Sequence, residues 1–275
     1  MSGSESGESP TSAADRERLR LTFGSDAAGY DRMRPGYPAQ LFDDLAKLAC
    51  IGPGCRVLEV GIGTGQASVP LGERGCRLVG VEISPDLAAI ARRKLARFHA
   101  ASVVVGAFED WPLPTEPFDT VVAATAFHWI DPAVRVAKAA DALRNGGALV
   151  TIDTQHVAGG TTQFFAEVQR CYERWDPSTP RGLRLPRIAD IAPSTEELDR
   201  SGRFGRAVFR RYEWEMTYST EEYRDLLLTY SGHIALERDA QAGLLACITD
   251  LIDARFGGRI TKRYLTELRV ARTRG

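Results

Sequence analysis

Apolar positions change their period several times along the chain. Leu41, Phe42, Leu45 and Leu48 recur at helical spacing after Pro38, and Gly52-Pro53-Gly54 closes that helix. Short continuous apolar runs then take over: Arg56–Val60, Arg77–Val81, Ser102–Val105, Phe118–Ala124 and Ala148–Asp153 read as five strands. Helical patterns separate them. One follows through Ala67–Glu73. Another starts at Ser84-Pro85, with Ser84 as N-cap and Leu87, Ile90, Ala91 and Leu95 as its buried stripe. A third opens at Asp131-Pro132, and Asn145-Gly146-Gly147 reads as its left-handed cap. Strands that are apolar throughout and alternate with helices imply a parallel sheet covered on both faces, the doubly wound α/β architecture.

The pattern then changes. His156–Pro193 is irregular, with one amphipathic helix around Phe164–Trp175, and reads as a helical cap inserted after the fifth strand. Thr195–Ser201 reads as a short helix and Arg206–Tyr218 as a strand. Thr220–Tyr230 and Glu237–Phe256 follow as helices, and Lys262–Ala271 as a last strand. Met1–Asp15 has no apolar block, which predicts a disordered tail and not a secretory signal. The expected organisation is a tail over 1–15 and a single domain over 16–275, with 156–193 as its cap.

Composition narrows the function. Charged residues make up 26% of the 275 residues, and the formal net charge is -1. No dense basic run offers a surface to a phosphate backbone, so a nucleic-acid partner is not expected. No apolar stretch approaches a membrane span, and a soluble, cytoplasmic protein is expected. The five cysteines form no Cys-x-x-Cys pair, so neither a disulfide framework nor a zinc site is expected. No metal-binding pattern such as His-Glu-x-x-His appears.

The chemistry concentrates at Glu59-Val60-Gly61-Ile62-Gly63-Thr64-Gly65, between the first strand and the next helix. Glycines at alternate positions let the backbone turn sharply and approach a ligand with no Cβ in the way. The helix that follows points free N–H groups at that ligand. Glu82 ends the second strand, where a carboxylate can accept hydrogen bonds from both hydroxyls of a ribose. Dinucleotide-binding turns use the same acid, but their G-x-G-x-x-G spacing would need glycine at Gln66.

These residues resemble the first two motifs of the class I S-adenosylmethionine-dependent methyltransferases. Further segments match in order: Gly106–Leu113, Phe118–Val122 with Phe127-His128-Trp129, and Leu143–Leu149. The Arg34-Pro35-Gly36-Tyr37-Pro38 lead-in is similar to that of the broad subgroup containing trans-aconitate methyltransferase-like enzymes. The resemblance implies a seven-stranded, mostly parallel Rossmann-like sheet, and S-adenosyl-L-methionine as cofactor. It implies that the glycine loop lies at the methionine end, Glu82 and Ile83 at the ribose, Ala107, Phe108 and Glu109 at the adenine, and Thr125 beside the transferred methyl. Many members carry Asp where this chain has Ala107, which leaves the adenine contact to Glu109 or the backbone.

The expected activity is methyl transfer to a small-molecule acceptor, with a carboxylate or hydroxyl favoured, by a monomer or homodimer. His128 is a candidate general base, though shaping the pocket is the plainer role for it and Trp129. Tyr30, Arg34 and Tyr37 are candidates for a lid, and His233 for the substrate pocket. The alternatives are a non-catalytic S-adenosylmethionine-binding module and a nicotinamide-dependent oxidoreductase.

Overall fold

A computed structural model describes residues 12–20, 24, 26–176 and 178–274. In chain order the elements are α1 (Ala13–Arg20), α2 (Ala27–Met33), α3 (Ala39–Ala49), β1 (Arg56–Val60), α4 (Ser68–Glu73), β2 (Arg77–Glu82), α5 (Pro85–Leu95), β3 (Ala101–Val105) and β4 (Phe118–Ala124). Then come α6 (Arg135–Ala142), β5 (Leu143–Val157), α7 (Thr162–Glu167), α8 (Gln169–Trp175), α9 (Glu196–Ser201) and β6 (Val208–Ser219). The chain ends with α10 (Thr220–Leu227), α11 (Ser231–Ile234), α12 (Arg238–Phe256) and β7 (Arg259–Arg272). The seven strands form one sheet in the order β3-β2-β1-β4-β5-β7-β6, and β3, β2, β1, β4 and β5 pair in parallel. The alternation of strands and helices predicts the doubly wound parallel part, and the seven-stranded Rossmann-like class I sheet is the one that the resemblance implies.

The chain divides into two compact units. One comprises Pro35–Asp153, Pro193–Tyr212 and Thr266–Gly275; the other comprises Met1–Arg34, Thr154–Ala192 and Glu213–Leu265. In the first, β1, β2, β4 and β5 bury both faces, as their continuous apolar runs require, while the edge strand β3 stays partly exposed. Val57, Val122 and Val150 point to one side, against Leu41, Leu45, Ile62, Leu71 and Leu95. Leu58, Val121 and Leu149 point to the other, against Phe118, Ile130, Val136 and Ala140. Adjacent residues of a strand thus serve opposite layers.

The second unit has its own core, built from Phe164, Phe165, Tyr218, Tyr223, Leu226, Leu244, Ile248, Ile252 and Tyr264. Lys262 is buried in it with no carboxylate partner among the described residues. Its ammonium donates to the Tyr230 hydroxyl at 3.3 Å and lies 5.3–5.6 Å from the rings of Tyr223, Tyr230 and Tyr264. Aromatic faces supply the negative potential that an acid would otherwise provide.

Three expectations from the sequence change. A disulfide joins Cys171 on α8 to Cys247 on α12. The two residues are 76 positions apart, so only the packing of their helices brings them together, and no local spacing announces the pair. Asn145-Gly146-Gly147 is not a helix cap. α6 stops at Ala142, and the three residues lie inside β5, where Gly146 takes φ +72° and the register against β4 shifts. A left-handed glycine serves a strand irregularity as well as it serves a helix end. The segment read as one helix over Phe164–Trp175 is two, α7 and α8. The tail expected over 1–15 falls mostly outside the described residues, although α1 already begins at Ala13. No helix among the described residues is long and apolar enough to cross a membrane.

Candidate functional site

Parallel strands deliver their C-terminal ends to one edge of the sheet, and the crevice there is where open α/β sheets bind ligands. β1, β2, β4 and β5 bring the glycine turn, Glu82, Thr125 and Asp153 to that edge. The turn leaves β1 with Gly61, Gly63 and Gly65 all at positive φ, +68°, +57° and +86°. At Gly61 the need is double: a Cβ there would also lie 2.6 Å from the Cβ of Ala126. Gly61→Ala is therefore expected to lose about 2 kcal/mol of stability from left-handed strain and overlap together. A lowered chemical-denaturation midpoint with an unchanged slope checks this.

Glu82 closes the turn from the side. Its carboxylate accepts the Gly63 N–H at 2.8 Å and the Ser84 N–H at 3.0 Å, so the acid fixes the glycine loop against the end of β2. It is only 5% exposed. Burial raises its pKa above the usual carboxylate range, against the lowering effect of the Ser84, Gly63 and Ile83 amides. Glu59, beneath the turn, is 1% exposed and accepts the Ser68 hydroxyl. Burial pushes its pKa up to about 8, the Ser68 hydrogen bond opposes that rise, and the charge on Glu82 adds to it.

At the end of β4, Thr125 is forced to φ +53°, a conformation rare outside glycine. Its N–H donates to the Ile152 carbonyl at 2.6 Å, and its hydroxyl lies 3.0 Å from the Tyr37 hydroxyl. Backbone strain of this kind concentrates where a chain must present a group to a ligand. A short helical turn over Phe127–Trp129 follows, and His128 Nδ1 lies 3.9 Å from an Asp153 carboxylate oxygen.

Beside β3, Phe108 is buried, and Ala107 directs its carbonyl to the Asp110 and Trp111 amides. The Glu109 carboxylate accepts the Asp131 N–H at 3.1 Å, and its carbonyl accepts Lys138 Nζ at 2.7 Å. Glu109 thus braces the loop before α6. Tyr37 and Trp129 belong to this same unit.

The remaining sequence candidates lie in the other unit. There the Arg34 guanidinium rests over the rings of Tyr30 and Tyr230, at 5.0 and 4.6 Å, and donates to the Thr229 carbonyl at 2.8 Å. His233 is buried, with Nε2 3.1 Å from the Tyr172 hydroxyl. Asp153 is the residue that sequence reasoning passed over. The signal was present: Asp153 is an acid that ends the apolar run Ala148–Ile152 within β5, as Glu82 ends that of β2.

The site suits an adenosine ligand carrying an amino acid. The side-chain oxygen of Thr64 and the Gln66 amide nitrogen are buried beside the glycines with no hydrogen-bond partner among the described residues, which leaves the turn polar capacity for a ligand. No cluster of metal-ligating side chains exists among the described residues. A surface groove between α4 and α5, lined by Gly65, Gln66, Val69, Pro70, Lys94 and Arg97, holds none of the strand-end acids.

A family profile described as a methyltransferase domain matches residues 58–151. An uncharacterised methyltransferase of Mycobacterium tuberculosis strain H37Rv is 37% identical over 134 residues, which are 49% of this chain and 52% of the relative. The chain thus spans about half the length of such mycobacterial relatives. An uncharacterised methyltransferase of Geobacillus thermodenitrificans is 36% identical over 148 residues, 50% of this chain and 67% of the relative. Among solved structures, phosphoethanolamine N-methyltransferase 2 of Haemonchus contortus, bound to S-adenosylhomocysteine, shares the fold. Its TM-score is 0.53 at 17% identity, covering 96% of this chain and 61% of that one.

Proposed function

We infer that this chain, which belongs to the class I S-adenosylmethionine-dependent methyltransferases, transfers a methyl group from that cofactor to a small-molecule acceptor with a carboxylate or hydroxyl nucleophile. The observation that carries the reading is the bridge from Glu82 to the Gly63 amide, which joins the acid and the glycine turn into one preformed cradle. When bound, S-adenosylmethionine supplies a methyl group already activated by a sulfonium.

The protein's task is then to position the reactants and exclude water. Gly61, Gly63 and Gly65 open the turn for the amino-acid end of the cofactor, above Glu59. Glu82 takes the ribose hydroxyls, with Ile83 beside it. Ala107 and Phe108 flank the adenine, and Glu109 sets the loop behind them. Thr125, held in its strained conformation, borders the path of the methyl group, with Tyr37, His128 and Trp129 around it. Tyr30, Arg34 and His233 belong to the other unit and take no role in this reading.

Isothermal calorimetry with S-adenosylhomocysteine tests the cofactor site, and transfer of labelled methyl to a panel of acceptors tests the chemistry. Micromolar binding and label in a product are expected. A folded protein that binds neither form of the cofactor would overturn the reading.

A further inference from the structure

Methyl transfer to a neutral hydroxyl needs a group that removes its proton. The deepest unassigned chemistry at the strand ends is the acid on β5. Ile152 pairs with Ala124 of β4, and the Thr125 N–H reaches the Ile152 carbonyl, so Asp153 emerges beside the strained Thr125. His128 Nδ1 faces its carboxylate at 3.9 Å. That separation is too long for a good hydrogen bond and suits one oxygen atom held by both groups at about 2.8 Å.

The other charges around Asp153 are committed elsewhere. Arg135, which opens α6, is clamped in two-point fashion by Glu197 and also donates to the Phe127 carbonyl. Arg269 on β7 donates to the Thr151 hydroxyl and the Ser194 carbonyl. Glu267, also on β7, pairs with Arg211 at 2.8 Å. Asp153 therefore keeps a carboxylate with 42% of its side-chain surface open, facing the imidazole.

We propose that Asp153 is the base of the reaction, that His128 is its positioning partner, and that the acceptor is consequently a hydroxyl compound, phenolic or alcoholic, in preference to a carboxylic acid. This rests on the methyl-transfer reading above. The acceptor oxygen attacks the methyl carbon as the carbon–sulfur bond breaks. The bond's electron pair stays on sulfur, giving the neutral thioether, and the hydroxyl proton passes to the Asp153 carboxylate and then to solvent. Crowding by protein atoms supports the role: loss of solvation on its covered side raises the Asp153 pKa, to about 6, although 42% of its side-chain surface stays open. Arg269 and Arg135 pull against that rise and Glu267 adds to it. A carboxylate so placed is a better base than a solvated one and is still ionised at neutral pH.

The first measurement needs no cofactor. Proton NMR titration of the four histidines (99, 128, 156 and 233), with His128→Gln to assign the signal, reads the pair directly. Asp153→Asn should lower the His128 midpoint by about one pH unit, as loss of a nearby opposite charge does; an unchanged midpoint overturns the pair. The second measurement follows labelled methyl into phenols, alcohols and carboxylic acids. Wild type should label hydroxyl compounds with a rate that rises through about pH 6. Asp153→Asn should lower that rate about 100-fold or more, Asp153→Glu should recover part of it, and S-adenosylhomocysteine binding should stay unchanged in both. Labelling confined to carboxylic acids, or an Asp153→Asn variant at the wild-type rate, overturns the proposal while leaving methyl transfer standing. Absent S-adenosylhomocysteine binding would instead bring down the methyl-transfer reading, and the NMR result would still judge the pair.

Discussion

Glu82→Ala is expected to weaken S-adenosylhomocysteine binding about 100-fold, and Glu82→Gln about 10-fold. Two losses combine in the alanine variant. The carboxylate accepts the Gly63 and Ser84 amides, so its removal frees the glycine turn as well as deleting the acceptor for the ribose hydroxyls. A hydrogen bond to a charged group contributes about 1.5–3 kcal/mol, and the released turn adds the cost of ordering it again on binding. Glutamine keeps one acceptor oxygen and places an N–H₂ group beside the backbone amide that the other oxygen served. It should therefore retain part of the cradle and lose the charge. Calorimetry at one pH on the three proteins measures the series, with circular dichroism as the check that each is folded. Equal affinities in all three would remove Glu82 from the site and leave it as a brace for the loop.

The parts of this site that could be read from the sequence are those built from neighbours along the chain. The turn Gly61–Gly65 and the acid at Glu82 follow from a strand, a glycine spacing and the end of the next strand, consecutive elements of one βαβ unit in which Gly63 and Glu82 are 19 positions apart. The two sheet faces were legible for the same reason, since Val57 and Leu58 must serve opposite layers once the strand is recognised. What escaped depends on pairs distant in sequence. Asp153 gains its meaning from His128, 25 positions earlier and on a neighbouring strand end. Cys171 and Cys247 meet only through helix packing. Asn145-Gly146-Gly147 was misread because a left-handed glycine marks a backbone angle and does not say whether a helix or a strand contains it. Thr125 is the opposite case. Its position was anticipated by resemblance, but its strain could not be, because nothing in a threonine announces a positive φ.

The acid beneath the turn leads to the second large effect. Glu59→Gln should stabilise the protein without ligand at pH 8 by on the order of 3–5 kcal/mol, at about 1.4 kcal/mol for each unit of pKa shift. Its pKa of about 8 in the folded chain lies above the model-compound value of 4.5. Between those two values the folded state holds a proton that the unfolded state has released. Stability therefore falls as pH rises across that window, reaching its full loss above the folded value. Glutamine has no proton to lose and can still accept the Ser68 hydroxyl through its amide oxygen. Denaturation midpoints from pH 5 to 9 should thus diverge, with wild type losing more stability than Glu59→Gln as pH rises. Parallel curves would show that Glu59 is ionised throughout. The gain should come at the expense of the cofactor, whose α-ammonium group and sulfonium bring positive charge to this turn. Wild-type affinity for S-adenosylmethionine should rise between pH 6 and 8 as binding draws the proton from Glu59, whereas Glu59→Gln should bind more weakly with little dependence on pH. An acid that destabilises the empty site and is relieved when a cation arrives explains why a buried carboxylate is kept under a glycine turn, where an apolar residue would fold better.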